Sequence, residues 1–326
     1  MGEPDRVPGR LQSATGKRRP EIPTLIVAFA IYGGFLLWTG YFHSLPLLIA
    51  APLGSLLLAW YGSLQHETIH SHPTRSRRIN ALLGSAPLSL WLPYGLYREI
   101  HLRHHRHGGR HLTDPVLDTE SFYLPPGSLR GMGRVRRAIH AANRTLAGRL
   151  ILGPGLALQA VWGSEIRKLR TGNRRRVFAW MRHALGVGVV LAWVVGVCRV
   201  PLFVYIGLVV YPSASLTQLR SFAEHRANPD PTLLTAVVEA SPLWALIFLN
   251  NNLHIAHHAR PKLPWYELPR VWRQMRTSGL AARAAAAGLV FQGGYLSVIR
   301  AYFLRPFITV EHPIEALKPY DAHTPQ

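Results

Sequence analysis

Cysteine is nearly absent. Cys198 is the single one in 326 residues, so no disulfide can close within the chain. It sits in an apolar run and reads as inert filler. Acid is scarce as well: 16 Asp and Glu stand against 37 Lys and Arg, a formal net charge of +21. Such an excess suits nucleic acid, an acidic partner or a membrane surface. The chain lacks any DNA-binding motif or zinc-finger spacing, so no nucleic-acid partner is expected. It also lacks a fused cytochrome, flavin or ferredoxin signature and any internal repeat.

Long apolar runs are what it has instead, with Arg182 their one Lys, Arg, Asp or Glu. Residues 22–42, 45–64, 178–197 and 201–219 each approach the length of about 20 residues that crosses a bilayer as a helix. Soluble helices rarely run so long without charge, and the first run is too long for a signal-peptide core. Very short turns predict two tight hairpins. Residues 65–176 carry nineteen Lys and Arg, while the turns opposite carry almost none beyond Arg199. The positive-inside rule then puts both termini and the large loop in the cytoplasm, and in a bacterium it puts the protein in the inner membrane. The expected fold is an all-α integral membrane protein. Four transmembrane helices form two hairpins, and a cytoplasmic helical cap completes a domain spanning 21–305. A disordered basic tail at 1–20 and a C-terminal tail at 306–326 flank it. Residues 81–94 and 146–162 are apolar but interrupted by proline. Residues 280–304 read as interfacial, with a fifth span as the alternative.

Histidine is abundant, at 17 residues, and clustered. HETIH holds His66 and His70 at i and i+4. HLRHH holds His101, His104 and His105, and HIAHH holds His254, His257 and His258, both as H-x-x-H-H. On a helix the positions i, i+3 and i+4 share one side, so each box can point its imidazoles at one place. Neutral imidazole suits zinc, copper, iron and nickel. Eight ligands exceed the three or four of one zinc and suit two ions with positions left for oxygen or water. His225, six residues beyond the fourth run, is the candidate ninth ligand.

These boxes resemble the membrane fatty acid desaturase and hydroxylase superfamily over residues 60–265. Thr113-Asp114-Pro115, Asn251-Asn252 and Pro264-Trp265-Tyr266 extend the likeness. Ser221 departs from it, standing where animal acyl-CoA desaturases have an asparagine. The resemblance implies two non-haem iron ions, O2 as co-substrate and a cytoplasmic catalytic cap. It also implies electrons from a separate donor such as ferredoxin, rubredoxin or a cytochrome b5-like protein. The expected reaction is desaturation of a lipid acyl chain, with hydroxylation by the same site as the alternative.

HETIH also fits the zinc-protease signature H-E-x-x-H, with Glu67 as base. That reading leaves six box histidines idle. The N-P-D at Asn228-Pro229-Asp230, which resembles an intramembrane protease motif, stops matching at Pro231. A transporter would place ionisable groups along the spans, where this chain has almost none. Asp114, Asn251, Asn252 and Glu224 are the candidate hydrogen-bond partners of the imidazoles. Glu67 reads as such an acceptor or as an exposed helix residue. Trp60, Tyr61, Trp91, Tyr94 and Tyr97 are candidates for a substrate channel or an interfacial belt. Arg75, Arg77, Arg78, Arg98 and Arg103 are candidates for a head group or an acidic donor.

Overall fold

In the computed structural model the described residues are 20–109 and 111–313. The basic tail, apart from Pro20, and residues 314–326 lie outside them. Proline and short polar caps set where the helices start. α1 (Ile22–Gly40) has Pro23 in its first turn, where a missing N–H costs nothing. α2 (Leu47–Ile69) follows Pro46. α3 (Arg77–Gly84) is capped by Ser76, α4 (Tyr94–His104) follows Pro93, and α5 is Arg134–Ala142. Thr145 caps α6 (Leu146–Arg170) and Asn173 caps α7 (Arg174–Leu191). α7 continues into a π-helical turn, Ala192–Val197. α8 (Leu202–Val204), a second π turn (Tyr205–Val210) and α9 (Tyr211–Phe222) form one further rod.

Among the described residues four helices are long and apolar enough to cross a membrane: Ile22–Gly40, Leu47–Ile69, Arg174–Val197 and Leu202–Phe222. They overshoot the apolar runs at residues 64 and 219. Hydropathy marks where a helix is greasy, whereas its backbone ladder continues until something stops it. The overshoot carries His66 on α2 and ends α9 three residues before His225. Phe29, Leu48, Leu185 and Phe203 are exposed on these rods.

Small residues let the rods approach. The Trp38 indole N–H donates to Ala50 O at 2.7 Å, and its ring lies over Gly54. α6 packs along α9. Pro154 lacks the N–H that would bond Leu150 O, and Ser215 Oγ donates to that carbonyl at 2.7 Å. Tyr211 OH donates to Ile151 O beside it. The interruption that made this segment ambiguous is thus satisfied by the neighbouring helix.

Residues 280–304 are not one rod. α10 (Pro242–Ile247), α11 (His254–Ala259) and α12 (Leu268–Arg276) lead to α13 (Gly279–Ala286) and α14 (Gly294–Tyr302). Between the last two, Val290–Phe291 (β2) pairs in parallel with Val237–Val238 (β1). Eight or nine residues rise about 12–14 Å, less than half of a hydrocarbon core of about 30 Å, so neither helix crosses. This small pairing and two isolated bridges, Leu124 with Glu311 and His225 with Thr235, are the departures from an all-helical expectation among the described residues. Residues 306–313, expected in the tail, lie against the rest: Phe307, Ile308 and His312 are buried.

A Cβ at Gly54 would meet the Trp38 ring at 2.6 Å, whereas one at Gly33 meets nothing within 4 Å. Gly54→Ala gains about 1 kcal/mol of helix propensity but overpacks by about 1–3 kcal/mol. It should lower the thermal midpoint in detergent, while Gly33→Ala leaves it level or raises it. Equal midpoints for the two variants would remove the close approach argued for here.

Candidate metal centre

The nine histidines singled out above come together in two groups. His66, His70, His101, His105 and His257 form one; His104, His225, His254 and His258 form the other. In each group the candidate ligand atoms lie within 4.8 Å of one another. The boxes do not each serve one place, as helical facing alone suggests. Successive residues turn about 100° about the axis. His101 and His105, at i and i+4, therefore stay together while His104 turns to the other group. α11 repeats this in mirror fashion: His254 and His258 join one group and His257 the other. The rings of His105 and His258, one from each group, stack at 4.4 Å.

Local structure holds these directions. His66 rides the overshooting end of α2, and His70 caps it. α11 turns Ile255 and Ala256 into the apolar core beneath, which leaves its histidines on the other side. His225 is tied by an antiparallel bridge to Thr235, with Ala236 N–H donating to Glu224 O at 2.9 Å.

The nitrogens converge through their Nε2 atoms. His70 and His101 approach to 2.9 Å, His105 and His101 to 3.1 Å, and His257 and His105 to 3.2 Å. In the other group His254 lies 2.9 Å from His225 and 3.0 Å from His258. On the far side, His101 Nδ1 donates to Glu120 at 2.9 Å and His104 Nδ1 to Asp118 at 2.7 Å. With the proton held at Nδ1, a neutral ring presents its Nε2 lone pair inward. Lone pairs facing lone pairs repel unless a cation lies between them. His66 Nε2 is buried with no hydrogen-bond partner, as expected of an atom meant for an ion. Metal–nitrogen bonds of about 2.1 Å put ligands at right angles about 3.0 Å apart, and tetrahedral ligands about 3.4 Å apart. The closest spacings fall in this range, so the residues fit bound metal ions.

Electrostatics agree. His254, His257 and His258 are held well below the ordinary imidazole range, first by burial and then by the neighbouring rings. Burial and then His104 lower His225 to about 3. At His104 burial opposes the cation, but Glu120 and Asp118 outweigh it and raise the imidazole to about 9. One group thus keeps a proton that an incoming cation displaces, so metal uptake there releases acid.

The candidate hydrogen-bond partners fared unevenly. Asp114 shapes the loop, accepting from Val116 N–H at 2.7 Å and Leu117 N–H at 2.9 Å. Asn252 donates to Val238 O at 2.7 Å. Glu224 lies 3.5 Å from His254 Nδ1 and pairs with Arg220 at 3.2 Å. Asn251 contributes its backbone carbonyl, 3.3 Å from His254 Nδ1. Glu67 is buried and accepts from Trp265 N–H at 3.1 Å, which ties the end of α2 to the segment after the third box. Tyr61 is fully buried, its single O–H within hydrogen-bond reach of Gly84 O and Ala86 O, so it serves packing. Asp118 and Glu120 went unnoticed in the sequence. The available signal was three acids, Asp114 among them, in one short loop of a chain so poor in acid.

A family model for fatty acid desaturases matches residues 38–286, a stretch that contains all nine histidines. The chain belongs to the fatty acid desaturase family. No curated protein matches it.

Asp118→Asn keeps the shape of the side chain but replaces one of its two acceptor oxygens by an NH2 donor, so either His104 Nδ1 or Thr113 N–H loses its acceptor. Affinity for ferrous ion at the four-histidine group should fall about 10–100-fold, measured by anaerobic titration. Glu120→Gln should cost less, because that carboxylate is partly exposed, at 32%. A larger loss from Glu120→Gln would reverse this ranking.

Proposed function

We propose that this member of the family is an O2-dependent enzyme that desaturates a lipid acyl chain at two iron ions, with electrons from a separate protein. The observation that carries the reading is the convergence of nine imidazole nitrogens into two adjacent groups at the ends of membrane-length helices. The reaction would balance as acyl –CH2–CH2– plus O2, two electrons and two protons, giving –CH=CH– and two waters. The external donor supplies the electrons: ferredoxin, rubredoxin or a cytochrome b5-like protein.

When bound, the two irons supply the O2 chemistry that breaks an unactivated C–H bond. His66, His70, His101, His105 and His257 would hold one, and His104, His225, His254 and His258 the other. Asp118 and Glu120 hold the Nδ1 side of His104 and His101, which turns the Nε2 of each ring inward; at His104 a bound cation would displace the remaining proton. Burial excludes bulk water and limits side reactions. The rods set the site at the membrane boundary, where an apolar chain can enter from the bilayer. In this reading the rods form two hairpins, and the basic cap and both termini face the cytoplasm. The candidate span Arg174–Val197 is hardly buried within the protein, which supports lipid around it.

Against a zinc protease, the Glu67 carboxylate is engaged by Trp265 N–H, away from the converging nitrogens. Both HETIH histidines share their group with three others.

Protein purified from iron-replete cells should hold about two irons per chain. Lipid analysis of an expression host with known acyl chains should show a new double bond; a hydroxyl group instead would assign hydroxylation to the same site. His66→Ala, His104→Ala, His257→Ala and His225→Ala should each abolish turnover, because residues acting as a unit are not additive. Glu67→Gln should be milder. His43→Ala, exposed at the opposite end of α2 and 3.2 Å from Cys198 O, should leave turnover nearly intact. One zinc per chain, with peptide cleavage lost in Glu67→Gln, would overturn the proposal.

A further inference from the structure

The far end of the described chain meets the acidic loop. Leu124 N–H donates to Val310 O and His312 N–H to Leu124 O, each at 2.9 Å. Glu311 accepts from Leu129 N–H at 2.5 Å. These bonds lay residues 310–312 beside the loop that carries Asp118 and Glu120. His312 is 4% exposed. Its ring stands edge-on to Tyr123 at 5.0 Å, and its Nε2 lies 3.2 Å from Thr113 Oγ1 in a hydrogen bond.

Thr113 is the informative residue. Its φ is +72°, in the left-handed region that a β-branched side chain rarely adopts. Such a conformation persists only where the surroundings over-determine it. In it, Thr113 N–H donates to Asp118 Oδ2 at 2.9 Å. The other oxygen, Oδ1, accepts from His104 Nδ1 at 2.7 Å and from Glu120 N–H at 2.9 Å. Three successive contacts therefore run from His312 through Thr113 and Asp118 to His104. Every member except the Thr113–His312 pair is local in sequence; that pair is 199 residues apart.

We propose that His312 is a positioning residue for the four-histidine group. It holds Thr113 in the left-handed turn, which fixes the Asp118 carboxylate and with it the direction of the His104 ring. The proposal rests on the reading of His104 as a metal ligand. Its basis is a tertiary contact made by a histidine outside all three boxes and outside the matched residues 38–286.

The test uses the full chain in detergent, stripped of metal and titrated with cobalt(II), whose visible bands report ligand geometry. His312→Phe keeps an aromatic ring against Tyr123 but removes both ring nitrogens. It should weaken about half of the bound cobalt roughly tenfold and alter its bands under conditions where the metal-free variant is still fully folded. His312→Gln restores a polar atom near Nε2 and should bind as the wild type does. Thr113→Val, which keeps the β-branch and loses Oγ1, should match His312→Phe and decides the matter if that variant folds poorly. Wild-type binding by His312→Phe, or equal weakening in His312→Gln and His312→Phe, overturns the proposal. His104→Ala separates the two levels. If it leaves cobalt binding intact, the reading of His104 as a ligand fails. If it weakens binding while His312→Phe does not, only the role of His312 fails.

Discussion

Nine imidazoles converge in two groups inside a largely buried region, most of them held neutral, and placing positive charge among their nitrogens is what such a cluster favours. The rest of the molecule is consistent with meeting this constraint. Burial depresses most of the rings, so they remain neutral and present lone pairs rather than protons. The two acids nearest the boxes sit on the outer, Nδ1 side, where they orient rings without competing for the inner positions. A protein short of acid spends two of its few carboxylates there.

Helical geometry does the sorting. An H-x-x-H-H box on a regular helix is a divided reagent: its first and last histidines lie about 40° apart around the axis, and its middle one lies well off that line. Two such boxes, facing each other from α4 and α11, give two adjacent groups rather than one crowded one. Each box sends two rings to one group and one to the other. The remaining rings come from the ends of two membrane-length rods, His66 and His70 from α2 and His225 just beyond α9. The site therefore depends on the seating of these rods. That seating is fixed by close contacts of small residues with large ones, as at Gly54 under Trp38, and by hydroxyls that satisfy carbonyls beside a proline, as at Ser215.

The connecting loops do more than connect. The loop after the second box carries Asp118 and Glu120 and includes Thr113 at positive φ. It is bonded on one side to Val310 and His312 through Leu124 and on the other to Ala227 N–H through Tyr123 OH at 3.0 Å. The break in residues 280–304 has a similar logic. β2 pairs with β1, and Val238 N–H donates to Asn252 O at 2.9 Å, two residues before His254. A greasy stretch long enough to cross a membrane instead braces the segment that leads into the third box.

The sequence by itself determined what depends on composition and local spacing. The four membrane-length helices, the nine histidines and the family likeness were all legible, because uncharged length and i, i+3, i+4 spacing are properties of a short stretch of chain. Tertiary structure alone decided which imidazole joins which group, since that depends on where α4 and α11 face each other. It also decided that Asp118 and Glu120, rather than Asp114, meet the rings. Residues 114, 118 and 120 share one loop, and only its folded path says which carboxylate points inward. His312 was invisible for the same reason. Its partner Thr113 is 199 residues away, and no local pattern records a contact made by closure of the whole chain.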